Sequence, residues 1–264
     1  MPFRPGDSPI LHLDRPEFFS STEEQGVLEL LNHINQEGAT NYSKDTELAA
    51  RNRSFEQAAR MELSAPEAVD LTKESEATKE KYGLNDDVSK GYGTNLLRAR
   101  RLVERGVRFI QVISGELDVA GESRNWDAHN NLDENHGKHA RAVDKPIAGL
   151  LADLQDRGLL DTTLVVWTSE FGRTSYGQSG NGRDHNPWGY TQWLAGGGSK
   201  GGTTFGQTDD VGLVSVGQKV DTYDLHATVL QLMGLNHLKT TFLHNGRSER
   251  PTVVYGDVVK ELIA

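Results

Sequence analysis

The 264-residue sequence contains no cysteine. That absence excludes disulfides, thiolate metal sites and cysteine nucleophiles, and it leaves reducing and oxidising compartments equally open. Any metal ion that the protein binds must therefore be held by histidine, carboxylate or water ligands.

Long apolar runs and an excess of basic charge are also missing. No run approaches the roughly 18 apolar residues that a membrane helix needs, and the opening sequence MPFRPGDSPI lacks the charged-then-apolar pattern of a signal peptide. The 28 Lys and Arg residues against 38 Asp and Glu give a net charge of −10 without a basic stripe. We therefore expect no membrane span and no nucleic-acid partner.

The sequence pattern divides the chain into two parts. Residues 1–105 are predicted to form a mainly helical, polar cover, after a proline-rich extended lead-in over residues 1–20. Apolar residues at helical spacing, together with capping residues, predict four helices in this part: 20–34, 46–63, 75–82 and 91–105.

Residues 106–264 are predicted to form an α/β core. A β-branched and aromatic run predicts a strand at 107–113, followed by a helix at 137–157 and a strand at 164–167. Together they would make a right-handed β-α-β unit with parallel strands. The elements predicted beyond this unit are a helix at 222–233 capped by Asp221 or Thr222, a strand at 252–255 and a helix at 258–263.

Chemically reactive side chains follow the predicted strands. Asp127 and His129 lie in the loop after the first strand, and Glu170 directly follows the second. His185 lies in the next loop, before another strand-like run at 190–194. Because the carboxyl ends of parallel strands meet at one edge of a sheet, we expect these three segments to converge there.

These four side chains have the chemistry of a divalent-metal site. Carboxylates and imidazoles without cysteine suit Zn²⁺, Mn²⁺ or Mg²⁺. The D-x-H spacing of Asp127 and His129 is weak evidence alone, and it gains weight from the RDHNP segment and Glu170. Arg173 and Arg183 are candidates to pair with an anionic substrate, and Asp184 is a further candidate substrate-binding residue.

The metal-site residues also have structural interpretations. His185 could cap the glycine-rich loop, and Asp184 could form an ordinary ion pair with Arg173 or Arg183, as could Glu170.

Other histidines and tryptophans are weaker candidates for a functional role. His136 and His139, near a predicted helix start, are expected to face solvent, whereas Trp126 and Trp188 are expected to line a pocket or the core. His226 could face either the site or the solvent.

A serine hydrolase is a further enzyme class to weigh. Ser169 precedes Glu170, but the sequence has no G-x-S-x-G motif. Nothing marks Ser169 as an activated nucleophile.

The sequence resembles the bacterial domain of unknown function family 1501 along its whole length. The resemblance rests on five segments: WDAH, VVWTSEFGRT, GRDHNP, WLAGGGSKGG and DLHATVLQLMGL. That family belongs to the alkaline phosphatase and sulfatase superfamily, which implies a three-layer α/β/α sheet, mostly parallel, holding two divalent metals and a Ser or Thr nucleophile.

The resemblance also implies roles for particular residues. Asp127 and His129 are similar to the superfamily's ligand pair ahead of a long helix, and His185 resembles a later ligand, so that the three would form one metal site. The superfamily's S-D-H-G segment corresponds to Ser169 to Gly172, where Glu170 replaces the aspartate and Phe171 replaces the histidine of the second site.

The beginning of the chain departs from the superfamily pattern. The superfamily takes its first metal-binding aspartate and its nucleophile from an N-terminal strand, and residues 1–20 supply neither. We therefore expect the chain to correspond to the C-terminal two thirds of a family member, with an incomplete fold and no activity of its own. Family members usually carry a twin-arginine export signal to the periplasm or envelope. The chain as given shows no such signal, so the sequence predicts either a cytoplasmic location or none in particular.

Two functional hypotheses follow. The first is a metal-dependent hydrolase of small anionic phosphate or sulfate esters. The second is a non-catalytic, degenerate family member with a binding or envelope-associated role. The sequence predicts neither the substrate nor the oligomeric state.

Overall fold

The computed structural model describes residues 9, 20–41, 46–114 and 125–264, which fold as a mixture of helices and strands. Almost all of the predicted lead-in over residues 1–20 lies outside these ranges. The chain forms two compact units, residues 1–76 with 101–110 and residues 77–100 with 111–264. The predicted boundary at residue 105 stays a prediction.

The first unit contains two long helices, α1 (Ser21–Asn41) and α2 (Thr46–Val69). Their predicted starts are confirmed, and both continue beyond their predicted ends. At the start of α1, the hydroxyl oxygen of Ser20 accepts a hydrogen bond from the Glu23 amide at 3.3 Å, and the Glu23 carboxylate accepts one from the Ser20 amide at 2.8 Å. This reciprocal capping explains why α1 begins where the sequence predicts.

Four more helices follow: α3 (Glu76–Lys81), α4 (Lys90–Glu104), α5 (Leu132–Asp156) and α6 (Thr222–Leu232). All four were predicted, although α5 begins five residues before the predicted start at 137. α6 is capped by Asp221, whose side chain accepts hydrogen bonds from the amides of Tyr223 and Asp224. No helix in the described ranges is long and apolar enough to cross a membrane.

The strands form small antiparallel pairs. They are β1 (Val165–Trp167), β2 (Gly172–Gln178), β3 (Gly182–Asn186), β4 (Trp193–Ala195), β5 (Gln207–Thr208), β6 (Ser215–Val216), β7 (Phe242–His244) and β8 (Arg247–Glu249). The pairs are β1 with β4, β2 with β3, β5 with β6 and β7 with β8. The predicted three-layer fold with a mostly parallel sheet is therefore not confirmed for the described residues.

Two predicted strands and one predicted helix are wrong. Residues 107–113 form no strand, and the side chains of Phe109 and Ile113 are each 73% exposed. Their β-branched and aromatic composition favours strands, but β-propensity stabilises a strand only where a neighbouring strand pairs with it. Residues 252–255 form turns instead of a strand, and the predicted terminal helix is reduced to a short 3₁₀ turn at Lys260–Leu262.

The core of the second unit lies among its helices. Its buried apolar side chains are Tyr82, Leu96, Leu97, Ala99, Ala128, Ala142, Val143, Leu150, Leu154, Ala227 and Val259. The apolar residues that α5 contributes to this core recur with the helical period of 3.6 residues, and its buried face also includes Asn135, His139 and Asp153.

A buried carboxylate joins α4 and α5 to the residue that follows α3. Oδ2 of Asp153 lies 3.0 Å from Arg100 Nε and accepts a 3.0 Å hydrogen bond from the Tyr82 hydroxyl, while Oδ1 accepts one from Arg157 Nε at 2.8 Å. Burial opposes the charge on Asp153, but hydrogen bonds from Arg157 and Tyr82 and the charge of Arg100 outweigh it and hold the Asp153 pKa below its usual range. Burial raises the pKa of Tyr82, which therefore remains a hydrogen-bond donor.

Candidate metal centre

Asp127 lies at the centre of a cluster with two histidines and one arginine. Its Oδ1 atom lies 2.7 Å from His185 Nε2, 3.0 Å from His129 Nε2 and 3.1 Å from Arg173 Nη2. The ligand atoms of Asp127, His129 and His185 all lie within 4.8 Å of one another. We call these three residues the metal-centre triad.

The loop before α5 places the first two members of the triad. The Asp127 amide donates to the Asn125 side chain at 2.9 Å, and the Ala128 amide donates to the Trp126 carbonyl at 3.0 Å. Arg173, on the neighbouring strand β2, holds this loop in place. Its Nη2 donates to the Trp126 carbonyl at 2.8 Å and to the Asp127 carboxylate. One guanidinium thus holds both the backbone and the carboxylate in place.

The β2–β3 hairpin supplies the third member of the triad. Arg173 on β2 lies directly opposite His185 on β3. Residues that oppose each other in an antiparallel pair project from the same face, so both side chains reach Asp127 together. At the other end of the hairpin, Gln178 Oε1 lies 2.6 Å from His129 Nδ1.

Gly182 lets the hairpin approach the Asp127 loop. A Cβ atom at this position would lie 1.9 Å from the carbonyl oxygen of His129 and 2.0 Å from its carbonyl carbon. The Arg183 amide next to it donates to the Ala128 carbonyl at 3.2 Å. The hairpin and the loop therefore touch through their backbones, and a side chain at residue 182 has no room.

Replacing Gly182 with alanine is expected to lower the free energy of unfolding by about 1–3 kcal/mol, because the hairpin must move away from the loop. The Arg183 to Ala128 hydrogen bond should be lost as well. Urea unfolding measures the effect. The matched control is Gly201→Ala, since a Cβ at Gly201 meets nothing within 4 Å. Equal stabilities for the two variants would contradict this explanation.

The surrounding charges favour ionised Asp127. The hydrogen bond from His185, aided by Arg173 and opposed by partial burial, holds the pKa of Asp127 below its usual range. A carboxylate that stays ionised is available as a metal ligand.

Phe171 packs against the triad. Its ring stacks on the His185 imidazole with 4.0 Å between centroids and an interplanar angle of 23°. The Arg173 guanidinium carbon lies 5.7 Å from the Phe171 centroid, and the rings of His129 and His185 are 4.9 Å apart. Phe171 thereby shields one face of His185 with an apolar ring.

The donor set fits a single Zn²⁺ or Mn²⁺ ion. A tetrahedral Zn²⁺ ion with ligand distances of about 2.0–2.2 Å places its ligand atoms about 3.4 Å apart. The pairs at 2.7 and 3.0 Å around Asp127 need to open only slightly to reach this separation. Three of the four predicted ligands are thus brought together, and their role as ligands stays a prediction.

The remaining predicted residues lie outside the triad. Glu170 is exposed and is not part of the cluster found among the described residues. The Ser169 hydroxyl donates to the Phe171 carbonyl at 2.9 Å. Arg183 donates to the carbonyl of Gly182 at 2.8 Å, and an Asp184 oxygen accepts the His185 amide at 2.8 Å.

The predicted orientation of His139 is wrong. His139 is completely buried, with its ring 5.1 Å from that of Trp126, because it lies one turn before Val143 on the buried face of α5. Burial and the neighbouring His136 lower the pKa of His139. Trp188 is 72% exposed and does not belong to the core, and His226 is exposed and lies outside the triad.

Sequence reasoning missed two functional contacts. It did not predict that Arg173 binds Asp127, and it did not single out Gln178. The Ser-Gly and Asn-Gly pairs at residues 179–182 are hairpin-turn signals that could have predicted β2 and β3 and hence both contacts.

Comparisons with known proteins identify the family. Neither the curated proteins nor the solved structures contain a match to this chain. A family model described as "Protein of unknown function (DUF1501)" matches residues 1–263. The chain therefore belongs to the DUF1501 family.

Proposed function

We propose that the metal-centre triad holds one divalent cation and that this centre hydrolyses phosphate or sulfate esters. The juxtaposition of Asp127, His129 and His185 within 4.8 Å is the observation that supports the proposal. Two imidazoles and one carboxylate favour Zn²⁺ or Mn²⁺ over Mg²⁺, which prefers oxygen ligands.

The chemistry of the proposed centre is that of a Lewis acid. A bound cation would stabilise the negative charge that develops on the transferring phosphoryl or sulfuryl group. Arg173 keeps the Asp127 carboxylate and its loop in position. The role of Arg173 is therefore to hold the centre together. Arg183, whose Nη1 donates to the Gly182 carbonyl at 2.8 Å, remains a candidate to bind an anionic substrate.

We also propose that the family is related to the alkaline phosphatase and sulfatase superfamily. The Asp127 and His129 pair stands directly before the long helix α5, and His185 is followed by Asn-Pro, as that relationship implies. This relationship would also imply a three-layer α/β/α fold with a mostly parallel sheet, whereas the strands among the described residues form antiparallel pairs.

One observation favours a second candidate function, that of a non-catalytic metal-binding protein. Phe171 stands where the superfamily has a second-site histidine, and its ring covers His185. A centre with one cation, and with no hydroxyl nucleophile assigned, suits binding of an anionic ligand as well as its hydrolysis.

Metal analysis combined with an ester-cleavage assay tests both functions. We expect the purified protein to bind about one equivalent of Zn²⁺ or Mn²⁺. Cleavage of an aryl phosphate or an aryl sulfate by the metal-loaded protein is the result that the hydrolase requires. His185→Ala should lower the metal-dependent turnover at least about tenfold, because one of three ligands is lost. His226→Ala is the matched control, since His226 is an exposed histidine outside the triad.

The two candidate functions give different results in this experiment. Metal binding without turnover would support the non-catalytic function and contradict the hydrolase. A protein that binds neither Zn²⁺ nor Mn²⁺ at equilibrium would contradict both.

A further inference from the structure

Gln178 contacts the ring nitrogen of His129 that faces away from Asp127. Its Oε1 atom lies 2.6 Å from His129 Nδ1, while His129 Nε2 lies 3.0 Å from Asp127 Oδ1. An amide oxygen only accepts hydrogen bonds, so this contact requires a proton on Nδ1. In a neutral imidazole, the lone pair is then on Nε2, which is the nitrogen that lies beside Asp127.

We propose that Gln178 is a positioning residue that fixes His129 in the Nδ1–H tautomer and thereby presents Nε2 to the cation. This inference rests on the proposed metal centre. Histidine ligands in metalloproteins commonly donate their second ring N–H to a carbonyl or carboxylate oxygen, which fixes the ring orientation and raises its basicity as a ligand.

The fold holds Gln178 in place for this contact. Gln178 ends β2 and pairs with Gly182 across the hairpin, and Gly182 lies against the backbone of His129. The Asn181 side chain accepts a hydrogen bond from the Asn131 amide at 2.9 Å, which fixes the same turn to the start of α5. The turn is therefore attached on both sides of His129, and the half-buried Gln178 side chain spans the remaining gap to the ring.

His185 is held differently. Its Nε2 forms a 2.7 Å hydrogen bond with the Asp127 carboxylate, which only accepts, so in the metal-free protein this nitrogen carries the proton. His129 Nε2 lies 3.0 Å from the same oxygen but forms no hydrogen bond with it in the described part of the chain, so this argument does not place a proton there. Within residues 125–264, no hydrogen bond to Nδ1 of His185 is present, and its ring packs on Phe171. Of the two histidines, His129 is thus the one whose Nδ1 contacts a side-chain acceptor, Gln178, which leaves Nε2 as the nitrogen that binds the cation.

Two variants of Gln178 test the proposal by two readouts. Gln178→Met removes the acceptor at similar size, and Gln178→Glu keeps an acceptor at the same place. Gln207→Met is the matched control, because Gln207 is an exposed strand glutamine. Zn²⁺ affinity is measured by titration calorimetry, and the His129 tautomer is measured in the metal-free protein by long-range proton–nitrogen NMR correlations.

The expected results separate positioning from a merely structural role. Gln178→Met should weaken Zn²⁺ binding about 10- to 100-fold and release His129 from the Nδ1–H tautomer. Gln178→Glu should retain both the tautomer and the affinity, and Gln207→Met should change neither.

Several outcomes would overturn the inference. An unchanged His129 tautomer in Gln178→Met rejects the positioning role, as does a Gln178→Glu variant that loses as much affinity as Gln178→Met. A wild-type protein that shows the Nδ1–H tautomer but binds no Zn²⁺ rejects the metal centre itself, which distinguishes that failure from a failure of the role of Gln178.

Discussion

Replacing Asp127 with alanine is expected to lower the affinity for Zn²⁺ or Mn²⁺ by more than about 100-fold, because groups that merely support a metal ligand already contribute about 10- to 100-fold. The Asp127 carboxylate lies 3.0 Å from His129 Nε2 and 2.7 Å from His185 Nε2 and so joins the two histidines. Its loss also leaves Arg173 as an uncompensated cation beside the two imidazoles. Titration calorimetry with either metal measures the change.

The matched control for this prediction is Asp144→Ala. Asp144 is an exposed aspartate on α5, so its replacement removes the same charge away from the triad. Affinity in the control should equal that of the wild type. If Asp127→Ala bound metal as tightly as the control, the carboxylate would not be a ligand and the proposed centre would be wrong.

Replacing Asp153 with alanine is expected to lower the free energy of unfolding by about 3–5 kcal/mol, because removing one member of a buried ion pair is strongly destabilising. The side chain of Arg100 is only 2% exposed, and the Tyr82 hydroxyl would also lose its acceptor. Urea or thermal unfolding measures the loss. The control is Asp156→Ala on the same helix, where an exposed ion pair with Lys81 should contribute no more than about 1 kcal/mol.

The same carboxylate gives stability a defined dependence on pH. Asp153 has a lower pKa in the folded protein than its value of about 3.9 in the unfolded chain. The contribution of ionised Asp153 to the free energy of unfolding is therefore fully present above the unfolded-state pKa, and it is lost as the pH falls through the folded-state pKa. The wild type should lose stability more steeply below about pH 4 than Asp153→Ala does, and parallel pH profiles would contradict the assignment.

The helices could be predicted from the sequence because their signals are local. α6 shows this most clearly, since Asp221 and Asp224 form the predicted cap within one turn of the chain. The start of α5 could not be predicted equally well, because helix ends are the least certain part of a periodic pattern. The buried position of His139 follows from its place one turn before Val143, against the general preference of histidine for partly exposed sites.

The strands could not be predicted equally well, because a strand depends on a partner that is distant in sequence. The run at 107–113 has high β-propensity and pairs with no strand among the described residues. β2, rich in Gly, Ser and polar residues, pairs with β3 through a tight turn. Local composition therefore ranks these two segments in the wrong order.

The sequence predicts that Asp127 and His129 lie close to His185, on the assumption that all three follow parallel strands ending at one edge of a sheet. In the structure an antiparallel hairpin brings them together instead. The contacts of Arg173 and Gln178 depend on the register of that hairpin, which only the turn signals at residues 179–182 indicate in the sequence.

The backbone contact at Gly182 has a consequence for how substitutions combine. Arg173, Gln178 and His185 all lie on one hairpin, and each contacts the loop that contains Asp127 and His129. A change that moves the hairpin alters all of these contacts at once, so the effects of separate substitutions will not add. Double-mutant cycles between the two segments will therefore report large coupling energies, and the contribution of any one residue will depend on whether the others are intact.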